Sequence, residues 1–162
     1  MDCVHRALDV ARRVRTMHLP MTRDPQIFTH PVRVPYAHVD QMGVVYYAHY
    51  LVYWEMARGE MLRAAGMPYL EMEKSGVFLP VVESHCVYRK PARYDDLLMI
   101  QITCVEIKGL RMHIEYETTR GAEMICTGWT DHVCLSREGK VLRPVPELKK
   151  LAEMGSRKMV HG

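Results

Sequence analysis

The stretch Asp40-Gln41-Met42-Gly43-Val44-Val45-Tyr46-Tyr47-Ala48-His49-Tyr50 places one carboxylate directly before a glycine turn and a long apolar helix. The helical pattern runs from Tyr46 to about Ala65 and is ended by Gly66 and Pro68. Backbone N–H groups at a helix N-terminus have no intrahelical acceptor and can hold an oxyanion. The stretch therefore predicts a catalytic carboxylate aimed at such N–H groups, and the alternative is that Asp40 is only a helix N-cap or a turn residue.

The size and composition of the chain favour one globular domain. The chain has 162 residues, and 48% of them are apolar, which is enough for a sizeable core. The longest apolar stretch, from Tyr46 to Ala65, carries four charged side chains: Glu55, Arg58, Glu60 and Arg63. Because these charges are costly in lipid, we expect no transmembrane helix and no membrane partner.

The net charge of the chain is small. Lys and Arg number 22 and Asp and Glu number 19, which gives +3. This excess is too small to indicate nucleic-acid binding, but it is compatible with a modest basic patch for a small molecule that carries phosphate.

The cysteines and the first residues indicate a cytoplasmic protein. The five cysteines are odd in number and form no C-x-x-C pair, which favours buried free thiols and argues against a structural zinc site. Residues 1–18 carry four arginines without an apolar core, a poor match to a secretory signal. We interpret residues 1–24 as an extension, helical or disordered, residues 25–155 as the single domain and residues 156–162 as a flexible tail.

The period of the apolar residues changes after the long helix. A first strand is predicted before it, and from Val77 onward the period of about 3.6 gives way to a period of 2. In Arg111–Thr119 apolar and charged side chains alternate, which is typical of a half-buried antiparallel strand. The predicted strands are Gln26–Pro35, Val77–Lys90, Leu97–Ile107, Arg111–Thr119 and Glu123–Leu135, and the short helices are Pro68–Ser75 and Glu147–Met154.

Helices and strands are segregated along the chain, which favours an α+β fold with an antiparallel sheet. A two-residue hairpin turn is indicated at Lys108-Gly109. The long helix is apolar on most sides, so we expect the sheet to wrap around it. Its apolar positions are Tyr50, Leu51, Trp54, Ala57, Met61 and Leu62.

These residues resemble a known family, the hotdog-fold acyl-CoA thioesterases, and most of all its 4-hydroxybenzoyl-CoA thioesterase and YbgC-like branch. The resemblance covers about residues 28–148. It implies a long helix wrapped by a curved antiparallel sheet, and homodimers or homotetramers with active sites between subunits. The matching positions are Asp40, Gly43–Tyr47, Tyr50, Leu51, Glu55, Ala57, Arg58 and Glu60, then Tyr88–Asp96, Gly128, Thr130, His132 and Val133.

The resemblance also implies the catalytic groups. Asp40 matches the family's catalytic carboxylate, and Gly43 matches the glycine of the turn that follows it. Tyr47, seven residues after Asp40, matches the residue whose backbone N–H polarises the thioester carbonyl. Asp40 would either activate a water molecule or attack directly to form an acyl-aspartyl anhydride, and both routes stay open. The reaction needs no cofactor and no metal, since coenzyme A is part of the substrate.

Six further residues are candidates for substrate binding. Each of them has an alternative role that involves no substrate. Tyr46 could be a packing residue, His49 a surface or interface residue, and the basic residues solvated charges. Phosphates of coenzyme A would be met by the basic side chains near the strand ends. The candidates are Tyr46, His49, Arg89, Lys90, Arg137 and Lys140.

The predicted function is hydrolysis of a short-chain or aromatic acyl-CoA to the free acid and coenzyme A. Alternatives are an acyl-carrier-protein thioester as substrate, a non-catalytic acyl-CoA-binding or scaffold protein, and a hotdog dehydratase, whose His-Phe-Pro-Gly signature is absent. Glu55 and Glu60 on the helix are alternative catalytic acids, but pairing with Arg58 and Arg63 at i+3 is favoured. An adaptable acyl pocket is predicted from Met42, Tyr47, Met56 and Met99.

Overall fold

The structure is a computed structural model that describes residues 27–153. The predicted extension at 1–24 and the predicted tail at 156–162 lie outside this range. Within it the chain forms six strands and three α-helices. The strands are β1 (Ile27–Arg33), β2 (Val81–Tyr88), β3 (Leu97–Lys108), β4 (Arg111–Arg120), β5 (Glu123–Leu135) and β6 (Val141–Leu142), and the helices are α1 (His49–Ala64), α2 (Tyr69–Lys74) and α3 (Pro146–Glu153).

The strands form one antiparallel sheet, which confirms the predicted α+β class. Its order is β1-β3-β4-β5-β2, and the short β6 pairs with β5. In β4 the side chains of Met112, Ile114, Tyr116 and Thr118 are buried, as its alternation predicted. Strand β2 is an edge strand of the described sheet, and most of its residues are exposed.

Helix α1 packs on the sheet through Trp54. The indole ring stacks on Tyr116 of β4 at a centroid distance of 4.7 Å, and its Nε1 donates a hydrogen bond of 2.9 Å to Thr118 Oγ1. Gly128 of β5 lies beneath the same ring, where a Cβ atom would come 2.6 Å from Trp54 Cη2. Five of the six apolar helix positions are buried as predicted, whereas Leu51 is exposed in the single chain.

The predicted start of the long helix was wrong by three residues. The structure begins α1 at His49 instead of Tyr46, because the backbone N–H of Tyr46 donates to the carbonyl of His38 at 3.0 Å. Residues 46–48 therefore form a turn that is tied to the preceding segment. The hairpin between β3 and β4 also differs, since its two turn residues are Gly109 and Leu110, with Lys108 paired to Arg111.

Strand β2 is shorter than the predicted strand Val77–Lys90. Pro80 has no N–H to donate, and Phe78 pairs with Leu135 only as an isolated bridge. The four cysteines within residues 27–153 are free, and three of them, Cys104, Cys126 and Cys134, are buried. None of the helices in this part of the chain is long and apolar enough to cross a membrane.

Candidate active site

Asp40 lies in a tight turn that its own backbone closes. Its N–H donates to the carbonyl of Val44 and its carbonyl accepts from the N–H of Gly43, both at 2.9 Å. Gly43 has a φ of +71°, a conformation that favours glycine. The carbonyl of Gly43 accepts a hydrogen bond of 3.4 Å from Arg93 Nη1. The turn is thus tied to the segment that connects β2 and β3.

The carboxylate of Asp40 caps this turn and not the helix. Its Oδ1 accepts a hydrogen bond of 2.8 Å from the backbone N–H of Met42. The cap position of α1 is occupied by Ala48, without a side-chain hydrogen bond, so the N-cap alternative is wrong, whereas the alternative of a turn residue stays open. Within residues 27–153 the second oxygen, Oδ2, has no hydrogen-bond or ion-pair partner and is available to water or substrate.

The turn at residues 46–48 presents free backbone N–H groups. The carbonyl of Tyr46 accepts from the N–H of His49 at 2.9 Å, and the carbonyl of Tyr47 accepts from the hydroxyl of Tyr88 at 3.1 Å. In the described part of the chain, the N–H groups of Tyr47 and Ala48 meet no acceptor. Unused donors next to a helix N-terminus are suited to an oxyanion.

One cavity of about 420 Å³ brings the two features together. Asp40 and Tyr47, both predicted catalytic residues, line it, and so do the predicted substrate contacts Tyr46, Arg89 and Lys90. The complete lining is Asp40, Met42, Val44, Val45, Tyr46, Tyr47, Tyr50, Tyr88, Arg89, Lys90 and Pro91.

The two basic residues of the cavity differ in their surroundings. Lys90 Nζ binds Glu123 at 2.7 Å, and this ion pair, with Arg120, lowers the pKa of Glu123 to about 2. Arg89 has no ion pair with any residue between 27 and 153. Arg89 is therefore the freer of the two cations for a phosphate group.

Three of the predicted substrate-binding residues do not line this cavity. Arg137 and Lys140 belong to the segment between β5 and β6, where the Arg137 guanidinium lies 6.0 Å from the ring centroid of Phe78. His49 stacks on His38 with centroids 4.0 Å apart. Phosphate or substrate binding by these three residues stays a prediction.

His38 belongs to a polar cluster behind the turn. Its Nδ1 lies 3.0 Å from the hydroxyl of Tyr53, and burial, with a smaller effect of His49, lowers the pKa of His38. Burial raises the pKa of Tyr53 to about 12, so this hydroxyl is protonated and can donate to the imidazole. The cluster therefore fixes the segment that precedes Asp40.

The alternative acids on α1 lie outside the cavity. Glu60 pairs with Arg63, as predicted. The predicted pair of Glu55 with Arg58 is not formed; Arg58 Nη1 instead donates to the hydroxyl of Tyr116 at 3.2 Å. Of the predicted acyl-pocket residues, Met42 and Tyr47 line the cavity, whereas Met56 and Met99 do not. Among residues 27–153 no group of three His, Cys, Asp or Glu side chains is arranged to hold a metal.

Sequence reasoning missed Tyr50 and Tyr88 as residues of the site. Both belong to the motifs that carry the family resemblance, but α1 supplies one and β2 the other. Their rings meet at a centroid distance of 5.5 Å. A signal existed in the Tyr-Arg-Lys-Pro segment at the end of β2, because Arg89 and Lys90 were already candidates and Tyr88 precedes them.

The chain belongs to the Thioesterase-like superfamily, whose family model matches residues 34–154. It is 33% identical to the putative acyl-CoA thioesterase YneP of Bacillus subtilis over 108 residues, which is 66% of this chain and 78% of that protein. It is also 33% identical to the acyl-CoA thioesterase YbgC of Haemophilus influenzae over 109 residues, 67% of this chain and 80% of that protein.

A solved structure agrees with these relatives. The crystal structure of a probable thioesterase from Bartonella henselae superposes with a TM-score of 0.71 at 30% identity, covering 74% of this chain and all of that chain. The predicted resemblance to the YbgC-like acyl-CoA thioesterases is thereby confirmed, and so is the class of enzyme, a thioester hydrolase.

Proposed function

We propose that the cavity is the active site and that Asp40 is its catalytic carboxylate, in hydrolysis of an acyl-CoA to the free acid and coenzyme A. The observation that carries this proposal is that one cavity is lined by both Asp40 and Tyr47, whose backbone N–H has no acceptor in the described part of the chain. A thioester carbonyl in the cavity would place its oxygen at this N–H, which stabilises the negative charge of the tetrahedral intermediate.

Two routes for the nucleophile fit the same residues. Asp40 either takes a proton from a water molecule that attacks the carbonyl, or attacks with its free oxygen and forms an anhydride that water then opens. In both routes the C–S bond breaks, coenzyme A leaves as the thiol, and one water molecule is consumed for each acid released. A single turnover in H₂¹⁸O, with enzyme in excess over substrate, separates the routes. The water route places ¹⁸O in the free acid, whereas an anhydride that water opens at the Asp40 carboxyl carbon leaves the ¹⁸O in Asp40 and gives an unlabelled acid.

The lining of the cavity favours an aromatic acyl group over a short aliphatic one. Four tyrosines, Tyr46, Tyr47, Tyr50 and Tyr88, line it, with ring centroids 4.5 Å apart for Tyr46 and Tyr47 and 5.5 Å apart for Tyr50 and Tyr88. Aromatic pairs at such distances contribute about 0.5–1.5 kcal/mol beyond the area that they bury. A ring in the acyl group would gain these contacts.

The phosphates of coenzyme A are assigned to Arg89, because this cation lacks an ion pair within residues 27–153. A thioester of acyl carrier protein carries the same scissile bond and is the alternative substrate.

We further propose that the sheet curves around α1 as in the hotdog fold and that a second copy covers the edge strand β2. Val81 and Val82 on this strand are 45% and 48% exposed, and Leu51, Val52 and Met56 of α1 are exposed as well. An uncovered apolar edge strand invites pairing with another chain. Light scattering of the purified protein tests this, with a dimer or tetramer expected and a monomer contradicting it.

The experiment that tests the function is thiol release from a panel of benzoyl-, hydroxybenzoyl-, acetyl-, hexanoyl- and palmitoyl-CoA, with one acyl-carrier-protein thioester. We expect turnover with the aromatic members to exceed that with acetyl-CoA. No release from any member by folded protein that still binds coenzyme A would refute the proposal and favour a binding role.

A further inference from the structure

The turn at residues 46–48 has two peptide groups whose carbonyls are both occupied. The Tyr46–Tyr47 peptide is held by the backbone of α1, since its carbonyl accepts from the N–H of His49 at 2.9 Å. The Tyr47–Ala48 peptide is held by a side chain from the sheet, since its carbonyl accepts from the hydroxyl of Tyr88 at 3.1 Å. The N–H groups of both peptides are left without an acceptor in the described part of the chain.

Holding a carbonyl also fixes the direction of the N–H in the same peptide. The peptide group is planar and trans, so its C=O and N–H point to opposite sides. A hydrogen bond to the carbonyl also polarises the amide, which strengthens its N–H as a donor. Because the Tyr46 carbonyl is bonded by the backbone N–H of His49, every substitution at position 49 except proline leaves that bond possible. The bond to the Tyr47 carbonyl, in contrast, depends on one hydroxyl group.

We infer that Tyr88 is a positioning residue, which holds the Tyr47–Ala48 peptide and so fixes the turn that supplies the proposed oxyanion donor, the backbone N–H of Tyr47. Tyr88 acts through this peptide and takes no part in bond making. The catalytic consequence of this inference rests on the proposed function. The hydrogen bond from the Tyr88 hydroxyl to the Tyr47 carbonyl, called the tether below, can be measured without substrate.

The surroundings of Tyr88 suit this role. Its backbone pairs with Cys126 of β5, which anchors the end of β2 in the sheet. Its ring lies 5.5 Å from Tyr50 and 6.4 Å from Tyr47 between centroids, so a phenylalanine would keep the same contacts. Burial raises the pKa of Tyr88, and the hydroxyl is therefore protonated and able to donate.

The sequence allows a direct measurement of the tether. Only two Tyr-Ala pairs occur in the chain, Tyr36-Ala37 and Tyr47-Ala48. Protein labelled with ¹³C at the tyrosine carbonyl and ¹⁵N in alanine therefore gives two peaks in an HNCO spectrum, and Ala37→Gly assigns them. We expect Tyr88→Phe to move the Tyr47 carbonyl resonance upfield and to leave that of Tyr36 in place. An unmoved Tyr47 carbonyl would overturn the inference.

Tyr69→Phe is the matched control. Its hydroxyl also bonds to the backbone, because it accepts a hydrogen bond of 3.2 Å from the N–H of Leu79. Tyr69 and Leu79 are distant in sequence from the turn at residues 46–48, and Tyr69 does not line the cavity that contains Asp40. It should move neither carbonyl resonance and leave turnover unchanged.

Kinetics test the consequence. Loss of one orienting hydrogen bond of about 1 kcal/mol lowers kcat about fivefold, with KM little changed and the pH profile of kcat unaltered in shape. Loss of the alkaline limb in Tyr88→Phe would show that Tyr88 is an acid instead, and an unchanged kcat would show that it positions nothing; either result overturns the inference. If the wild-type protein itself releases no thiol, the proposed function fails, and the carbonyl resonance alone decides whether Tyr88 holds the turn.

Discussion

Among the glycines between residues 27 and 153, Gly128 of β5 is the one where an added Cβ atom meets the closest neighbours. A Cβ atom there would lie 2.0 Å from the backbone oxygen of His85, 2.6 Å from Trp54 Cη2 and 3.0 Å from the Cα atom of Cys86. Ordinary contacts of this kind begin at 3.4 Å, so β2 would have to move by about 1.4 Å relative to β5. The neighbours that obstruct the methyl group are mostly backbone, and backbone cannot rotate away.

The expected cost follows from this geometry. An extra methylene in a packed core costs about 1–3 kcal/mol when neighbours can adjust. Because the backbone of β2 and the stacked ring of Trp54 both resist, we expect Gly128→Ala to lower the free energy of unfolding by about 3 kcal/mol or more. For a chain of this size that corresponds to a fall in Tm of about 6–12 °C.

Gly59→Ala is the matched control, because it adds the same methyl group with the opposite expected sign. Gly59 lies inside α1, and a Cβ atom there meets nothing within 4 Å. Replacing glycine inside a helix stabilises by up to about 1 kcal/mol. Thermal and urea unfolding of both variants measures the difference. If Gly128→Ala were as stable as Gly59→Ala, the described packing of β2, β5 and Trp54 would be wrong.

Three further predictions concern pH, coenzyme A and the oxyanion donor. Burial lowers the pKa of His132 to about 4, so the folded state keeps this imidazole neutral, and stability present above pH ~6.5 should fall by up to about 3 kcal/mol as pH drops toward 4. The pKa of His113 is raised, mainly by its hydrogen bond to Glu115, so His113 favours the folded state as the pH falls. We expect the effect of His132 on the free energy of unfolding to be the larger of the two. A urea midpoint that stays the same between pH 7 and pH 4.5 would contradict this expectation. Arg89→Ala should raise KM for acyl-CoA roughly fivefold, for a contact of about 1 kcal/mol. Lys90→Ala should raise KM less, because Lys90 is paired with Glu123. Equal KM values for the wild-type protein and Arg89→Ala would show that Arg89 is only a solvated surface charge. Tyr47→Ala should leave kcat nearly unchanged because the backbone N–H remains, whereas Tyr47→Pro should lower it about 100-fold or more; steady-state kinetics of the pair decide, and a large loss in Tyr47→Ala would assign the role to the ring.

Strands whose signal is local were predicted well from sequence. The alternation in Arg111–Thr119 identified β4, and β5 has the predicted bounds Glu123–Leu135. The start of α1 was missed because Tyr46 and Tyr47 continue the apolar pattern, while the hydrogen bond that holds them in a turn comes from His38, eight residues earlier.

Only those parts of the candidate site that lie close together in the sequence could be predicted. Asp40 and Tyr47 share one motif, so their proximity could be expected, and Arg89 and Lys90 lie next to the predicted strand end. Tyr50 and Tyr88 come together only because β2 pairs with β5 and α1 packs on the sheet. These two long-range arrangements could not be predicted from the sequence alone. Arg137 and Lys140 lie in the segment between β5 and β6 and do not line the cavity, so substrate binding by them stays a prediction.

The carboxylate of Asp40 is the centre of the account, and Asp40→Asn tests it most directly. Asparagine keeps an Oδ1 that can accept the hydrogen bond from the Met42 N–H, so the turn should persist while the negative charge is lost. The measurement is kcat for the best acyl-CoA of the panel, with Tm and the Kd for coenzyme A determined on the same samples. We predict a fall in kcat of about 10²–10⁴-fold at unchanged Tm and Kd. A kcat close to that of the wild-type protein would contradict the account, because Asp40 would then be only the residue that caps its turn.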